Sequence, residues 1–167
     1  MEVTPERVAQ ERDWVRSRVN VIVPLVNDIR AALAEQFAVS VDPISAEQYH
    51  AAVDDLFADG DRAVNVAAMV AILRDLDVDG DYPGFIVDEV LGRELAATIA
   101  GKQPLRLLGE ATFHYADIMT HGEAGDAAGA DDLDAALAAG FQEVIPGWGW
   151  TARESPFAVP PIGEEEP

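Results

Sequence analysis

The sequence predicts an all-α fold: a five- to six-helix bundle organised around a long kinked N-terminal helix, with an irregular C-terminal arm. Three observations carry that expectation. Apolar residues recur at helical spacing from Val8 to Leu33, no stretch alternates convincingly as a strand does, and the tail beyond Gly140 loses periodicity while keeping large aromatics. The expected division is an acidic helical domain over residues 1–140 and a Trp- and Pro-rich arm over residues 141–167. A chain of 167 residues with 49% hydrophobic content holds enough apolar area for one domain with a real core.

Thr4-Pro5-Glu6 is a helix start, with a capping hydroxyl, a proline suited to the first helical position and an acid at the positive end of the dipole. Val8, Val15, Val19, Ile22, Val26, Ile29 and Leu33 then fall within an arc of about 80° at roughly 100° per residue. Trp14, Val21 and Leu25 make a second stripe, so this helix is expected to touch two neighbours. Pro24 lies almost opposite the seam and predicts a bend within one helix spanning residues 4–37. A dimerising coiled coil is the alternative use of the seam, but only about three heptads are unbroken.

Ser45 with Gln48 has the spacing of a capping box and opens a second helix with Tyr49, Val53, Leu56 and Phe57 inward. A third helix, residues 62–74 behind an Asp61 cap, is apolar nearly all round and is expected to be the most buried. A fourth spans residues 85–100, with Phe85, Ile86, Val90, Leu91, Leu95 and Ile99 inward and Gly101 as its stop. Pro104 opens a fifth lasting to about residue 121, its apolar face formed by Leu108, Ala111, Tyr115, Ile118 and Met119. Asp131 caps a short sixth helix ending near Gly140. Residues 141–145 show no helical period and offer at most an edge strand.

The net charge is −20, from 31 acids against 11 bases, and residues 123–167 carry 10 of the acids and a single arginine. Such a field repels phosphate, which argues against nucleic-acid partners and adhesion to anionic membranes. It favours basic proteins or divalent cations, although salt adaptation or genome composition also produces acidic chains. With no cysteine there is no disulfide framework and no thiolate chemistry. No basic region followed by an apolar run opens the chain, and the apolar stretch from Val64 to Leu73 is too short to span a bilayer. A cytoplasmic or virion-associated protein is expected.

Two constellations could hold metal. Asp75, Asp77, Asp79 and Asp81, with Gly80, resemble the start of an EF-hand calcium loop between two helices. The pattern then departs: Ile86 stands where a bidentate glutamate belongs, and Pro83-Gly84 alters the exit. The plainer reading is an acidic turn, and the alternative is weak, hydrated binding of a divalent cation. The second constellation is Glu110, His114, Asp117 and His121 on one helical stripe, with Glu47 and His50 as another Glu-x-x-His. Di-iron carboxylate bundles use that motif, but there it faces the core, and here the stripe is expected to face solvent.

Ser17, Ser40, Ser45 and Ser155 lie in no nucleophile elbow, and no glycine-rich phosphate loop is present. A non-enzymatic protein is the expectation, with no cofactor beyond a weakly held divalent cation. The arm supplies the strongest lead. Trp148 and Trp150, followed by Phe157, Val159, Pro160, Pro161 and Ile162, have too much apolar area to leave in water. They either fold back onto the helices or dock on a protein partner, another copy of the chain included. The function expected is protein–protein interaction or assembly, as in scaffold, phage-structural or immunity-type subunits. The competing expectation is a metal-binding helical bundle.

Overall fold

The computed structural model describes residues 1–77, 82–120 and 130–151. Among them are seven helices and no strand: α1 (Pro5–Ser17), α2 (Val19–Phe37), α3 (Ala46–Ala58), α4 (Gly60–Asp75), α5 (Val87–Ala100), α6 (Leu105–Thr120) and α7 (Ala130–Val144). The fold is all-α.

The N-terminal segment starts as its sequence dictates, with the Thr4 side chain accepting from the Arg7 amide at 3.1 Å. Its seam is the core: Val15, Ile22, Val26 and Ile29 are fully buried. The segment is nevertheless two helices. The break falls at Arg18, whose φ of −79° and ψ of 7° leave the helical region, while Pro24 lies inside α2. Arg18 gains from leaving the helix, because its guanidinium reaches the Asp134 carboxylate on α7 with contacts of 2.7 and 2.9 Å. Pro24, the sixth residue of α2, removes one intrahelical hydrogen bond, and it is tolerated because it and Asn20, whose carbonyl would accept that bond, are both exposed.

α3 opens with the capping box read from Ser45 and Gln48, both arms of which are formed. The connector before it is pinned by Asn27, whose amide accepts from the Ile44 amide at 2.7 Å and donates to the Ile44 carbonyl at 3.2 Å. α4 starts at Gly60 with Asp59 at its cap, two residues earlier than the Asp61 cap expected.

The most buried helix is α7, not α4. Val64 and Ile72 on α4 are exposed, whereas Ala135 to Phe141 on α7 are buried without exception. α7 packs against α2, α3, α4, α5 and α6. Its alanines are what permit this, since small side chains let neighbouring backbones approach from all sides. At Gly140 an added Cβ would stand 2.6 Å from Ile99 Cβ, so glycine is required by that close approach. α7 also runs on through residue 140 to Val144, so residues 141–144 are helical rather than irregular or an edge strand.

α5 and α6 lie antiparallel, as Gly92 against Phe113 and Gly109 against Ala96 and Ala100 show. Their faces differ from expectation. On α5, Leu95 and Ile99 are buried and Leu91 half-buried, but Val90 points to solvent; just before the helix Phe85 is half-buried and the N-cap residue Ile86 exposed. On α6 the buried residues are Gly109, Thr112, Phe113 and Ala116. Ala111 and Ile118 are exposed, and Leu108 and Tyr115 are half-buried. The small residues face the neighbouring helices, and larger apolar side chains are left outside.

No helix among the described residues is long and apolar enough to cross a membrane.

Candidate functional site

Two regions gather the polar and aromatic side chains that the helices place together. The first closes the end of α7. Arg30, on the buried face of α2, is only 1% exposed. Its Nη2 donates to the carbonyls of Gln142 at 2.8 Å and Ile145 at 2.6 Å, and its Nη1 to those of Asp42 at 3.0 Å and Pro146 at 3.2 Å. Three of these, on Gln142, Ile145 and Pro146, lie at the end of α7, where carbonyls lack intrahelical donors and a cation meets the negative end of the dipole, and the fourth belongs to the connector before α3. Burial still pulls the guanidinium pKa below its ordinary value, opposed by the charges of Glu143 and Asp42.

Beside Arg30 lies a buried polar chain. Trp148 Nε1 donates to Gln142 Oε1 at 2.7 Å, and Gln142 Nε2 donates to Glu143 Oε1 at 2.5 Å. Trp150 Nε1 donates to Glu143 Oε2 at 3.1 Å, and the Thr112 hydroxyl lies 3.2 Å from Oε1. Glu143 is 2% exposed, and burial pushes its pKa up against the opposing effect of these hydrogen bonds and of Arg30. The indoles of Trp148 and Trp150 stack 4.6 Å apart, and Phe37 meets both edge-on at 6.3 Å. Trp148 is buried at 3% exposure, so its ring is part of the interior, while Trp150 is half-buried and Phe37 exposed. Phe157, Val159, Pro160, Pro161 and Ile162 lie outside the described residues.

The second region is an open groove of about 430 Å³ between α5 and α6, lined by Glu89, Arg93, Leu107, Glu110, His114 and the Phe113 ring, among others. Glu110 and His114, expected on one stripe of α6, both reach it. Glu89 pairs with Arg93 at 3.8 Å, and on the same flank Glu94 pairs with Arg106 at 3.7 Å. Glu110 has neither a hydrogen-bond nor an ion-pair partner among the described residues. Along α6, Leu107, Ala111, His114 and Ile118 are exposed at spacings of four, three and four, with Leu107 at 59% and Ile118 at 64%. The antiparallel register sets the exposed Ile86 and Val90, at the start of α5, beside the second half of that stripe.

The metal candidates fare differently from one another. Asp75 ends α4, exposed, with its carboxylate 3.7 Å from the Arg7 guanidinium, and Asp77 is exposed just beyond. Asp79, Asp81 and His121 lie outside the described residues. Among the described residues no three His, Asp or Glu side chains converge closely enough to hold an ion, so Glu110 and His114 share a groove without forming a ligand set.

Sequence reasoning missed Arg30, Gln142 and Glu143, and it placed Ile86, Val90 and Ile118 on the wrong side of their helices. The first three are polar residues of ordinary appearance. Only Arg30's position in the α2 sequence, one residue from the seam at Ile29, hinted at burial.

Comparison with curated proteins and with solved structures finds no match to either. The match to a family profile spans residues 1–161, and the chain belongs to that family, described as Domain of unknown function (DUF7984).

Proposed function

We propose that this chain is a non-enzymatic protein-interaction subunit whose contact face is the outer surface of α5 and α6. One observation carries the reading: Leu107, Ala111 and Ile118, with His114 among them, form a largely apolar stripe on the solvent side of α6, next to exposed Ile86 and Val90. Scattered exposed aliphatics are ordinary, but a stripe at helical period flanking a groove is the surface that a partner's helix covers. The acidic surface supports the same reading, since it selects among partners and speeds encounter with basic ones. Trp150 and Phe37 offer a second, smaller aromatic contact at the end of α7.

The test is co-purification of the tagged full chain from cells that naturally produce it, beside a Leu107→Ser/Ile118→Ser variant. Both substituted residues are exposed, so the variant is expected to melt as the parent does. A protein that accompanies the parent and is lost from the variant supports the reading. Identical companions for both chains contradict it.

A further inference from the structure

The occupant of the α5–α6 groove can be specified by chemistry, an inference that rests on the interaction reading above. We infer that the groove receives an amphipathic helix of a basic protein partner, which seats a large aliphatic side chain on the Phe113 ring and a lysine or arginine against Glu110.

The apolar half of the argument is geometric. Two antiparallel helices flank the groove, and each exposes aliphatics one turn apart: the N-cap Ile86 and Val90 at the start of α5, and Leu107 and Ala111 on α6, with Ile118 two turns further. A helix laid between them presents side chains at the same period, which is the helix-in-groove mode of recognition. Phe113, itself buried, is among the lining residues, and the groove's volume of about 430 Å³ accommodates a few large side chains but no folded element.

The charged half follows from which groups are already neutralised. Arg93 is paired with Glu89 and Arg106 with Glu94, so the cations of this flank are spoken for. Glu110 is half-buried in the groove wall and has no partner among the described residues. Covering it with apolar surface alone would leave a carboxylate desolvated and unpaired, which opposes binding. The occupant must therefore bring a cation to that wall. A second copy of this chain carries the same net charge of −20, which opposes its approach, so a basic partner fits the groove better.

The probe is a fluorescein-labelled peptide of about 16 residues, roughly four helical turns, with leucines at helical spacing and lysines elsewhere. Its controls are a scrambled isomer of the same composition and an analogue with glutamate in place of lysine. Binding to the full chain is read by fluorescence anisotropy at about 0.15 M salt, where exposed charges more than a Debye length apart are screened. The patterned basic peptide is expected to bind at least about tenfold more tightly than its scrambled isomer, a difference of roughly 1.4 kcal/mol. Glu110→Gln and Ile118→Ser are each expected to weaken it about fivefold or more, whereas Glu47→Gln and Asp55→Asn, exposed acids on α3, leave it unchanged.

Equal binding of the scrambled isomer, preference for the glutamate peptide, or indifference to Glu110→Gln overturns the inference. A photo-crosslinker carried at position 118 in the native cell separates this failure from that of the interaction reading. If the basic peptide fails and the crosslinker still captures a specific partner, the face is an interface for different chemistry. If both fail, the interaction reading falls as well.

Discussion

Arg30 on α2 donates from Nη2 to the Ile145 carbonyl at 2.6 Å, so a guanidinium from the first part of the chain closes the end of α7. The same side chain holds the carbonyls of Gln142, Pro146 and Asp42. Replacing Arg30 with Leu leaves the buried carbonyls of Gln142 and Ile145 without this donor, whereas Asp42 and Pro146 are exposed. At roughly 1–3 kcal/mol for each unsatisfied group, the loss is expected to be about 2–6 kcal/mol. Arg30→Lys should recover little, because one ammonium cannot span four acceptors in two directions. Thermal melts check both, with about 2–4 °C of Tm expected per kcal/mol for a chain of this size.

Gly147 is the second half of that closure. Its φ of +149° favours glycine, and an added Cβ would stand 2.7 Å from Arg30 Nη1. Gly147→Ala is expected to cost about 1–3 kcal/mol. Because the new methyl would press on Arg30, combining it with Arg30→Leu should be less than additive. A double-mutant cycle measured by urea unfolding reads the coupling directly.

These two residues also show what a sequence reveals and what it hides. The α1–α2 seam, the Thr4 cap and the Ser45–Gln48 capping box were legible, because each depends on neighbours a few positions away. The break at Arg18 was not, since it depends on Asp134, 116 residues later. Nor were the faces of α5 and α6. There Gly92, Gly109 and Ala116 pack inward where a hydrophobicity pattern expects Val90 and Ile118. Close packing of small residues wins over burial of large ones when three helices meet, and composition carries no mark of that. At the groove, Glu110 and His114 were visible as a polar stripe, but Glu89 and Phe113 come from register.

A chain ending at Gly140 is expected not to fold cooperatively. It loses Phe141, Gln142, Glu143, Ile145 and Trp148, all buried, and with them three of Arg30's four carbonyl acceptors. Circular dichroism melts check this. A sharp transition within a few degrees of the full chain would contradict the placement of Trp148 in the core.

Glu143 makes stability depend on pH in a stated direction. Burial raises its pKa in the fold above the ordinary carboxylate value that it has when unfolded. The folded state therefore holds the proton that the unfolded state releases. The group's contribution is full below the ordinary value and is lost as pH rises through the raised one. Other carboxylates titrate too, so the readout is the stability of Glu143→Gln minus that of the parent. That difference is expected to shift in favour of the variant as pH rises above the ordinary carboxylate value. A flat difference would show that the carboxyl is not perturbed.

The central claim is that the outer surface of α5 and α6 is a protein interface. Residue-specific photo-crosslinking in cells that produce the chain tests it most directly, with the crosslinker at Ile118 in one variant and at Glu47, exposed on α3, in another. The account predicts a discrete adduct from position 118 that is absent from position 47. No adduct at 118, or the same adducts from both positions, would contradict it.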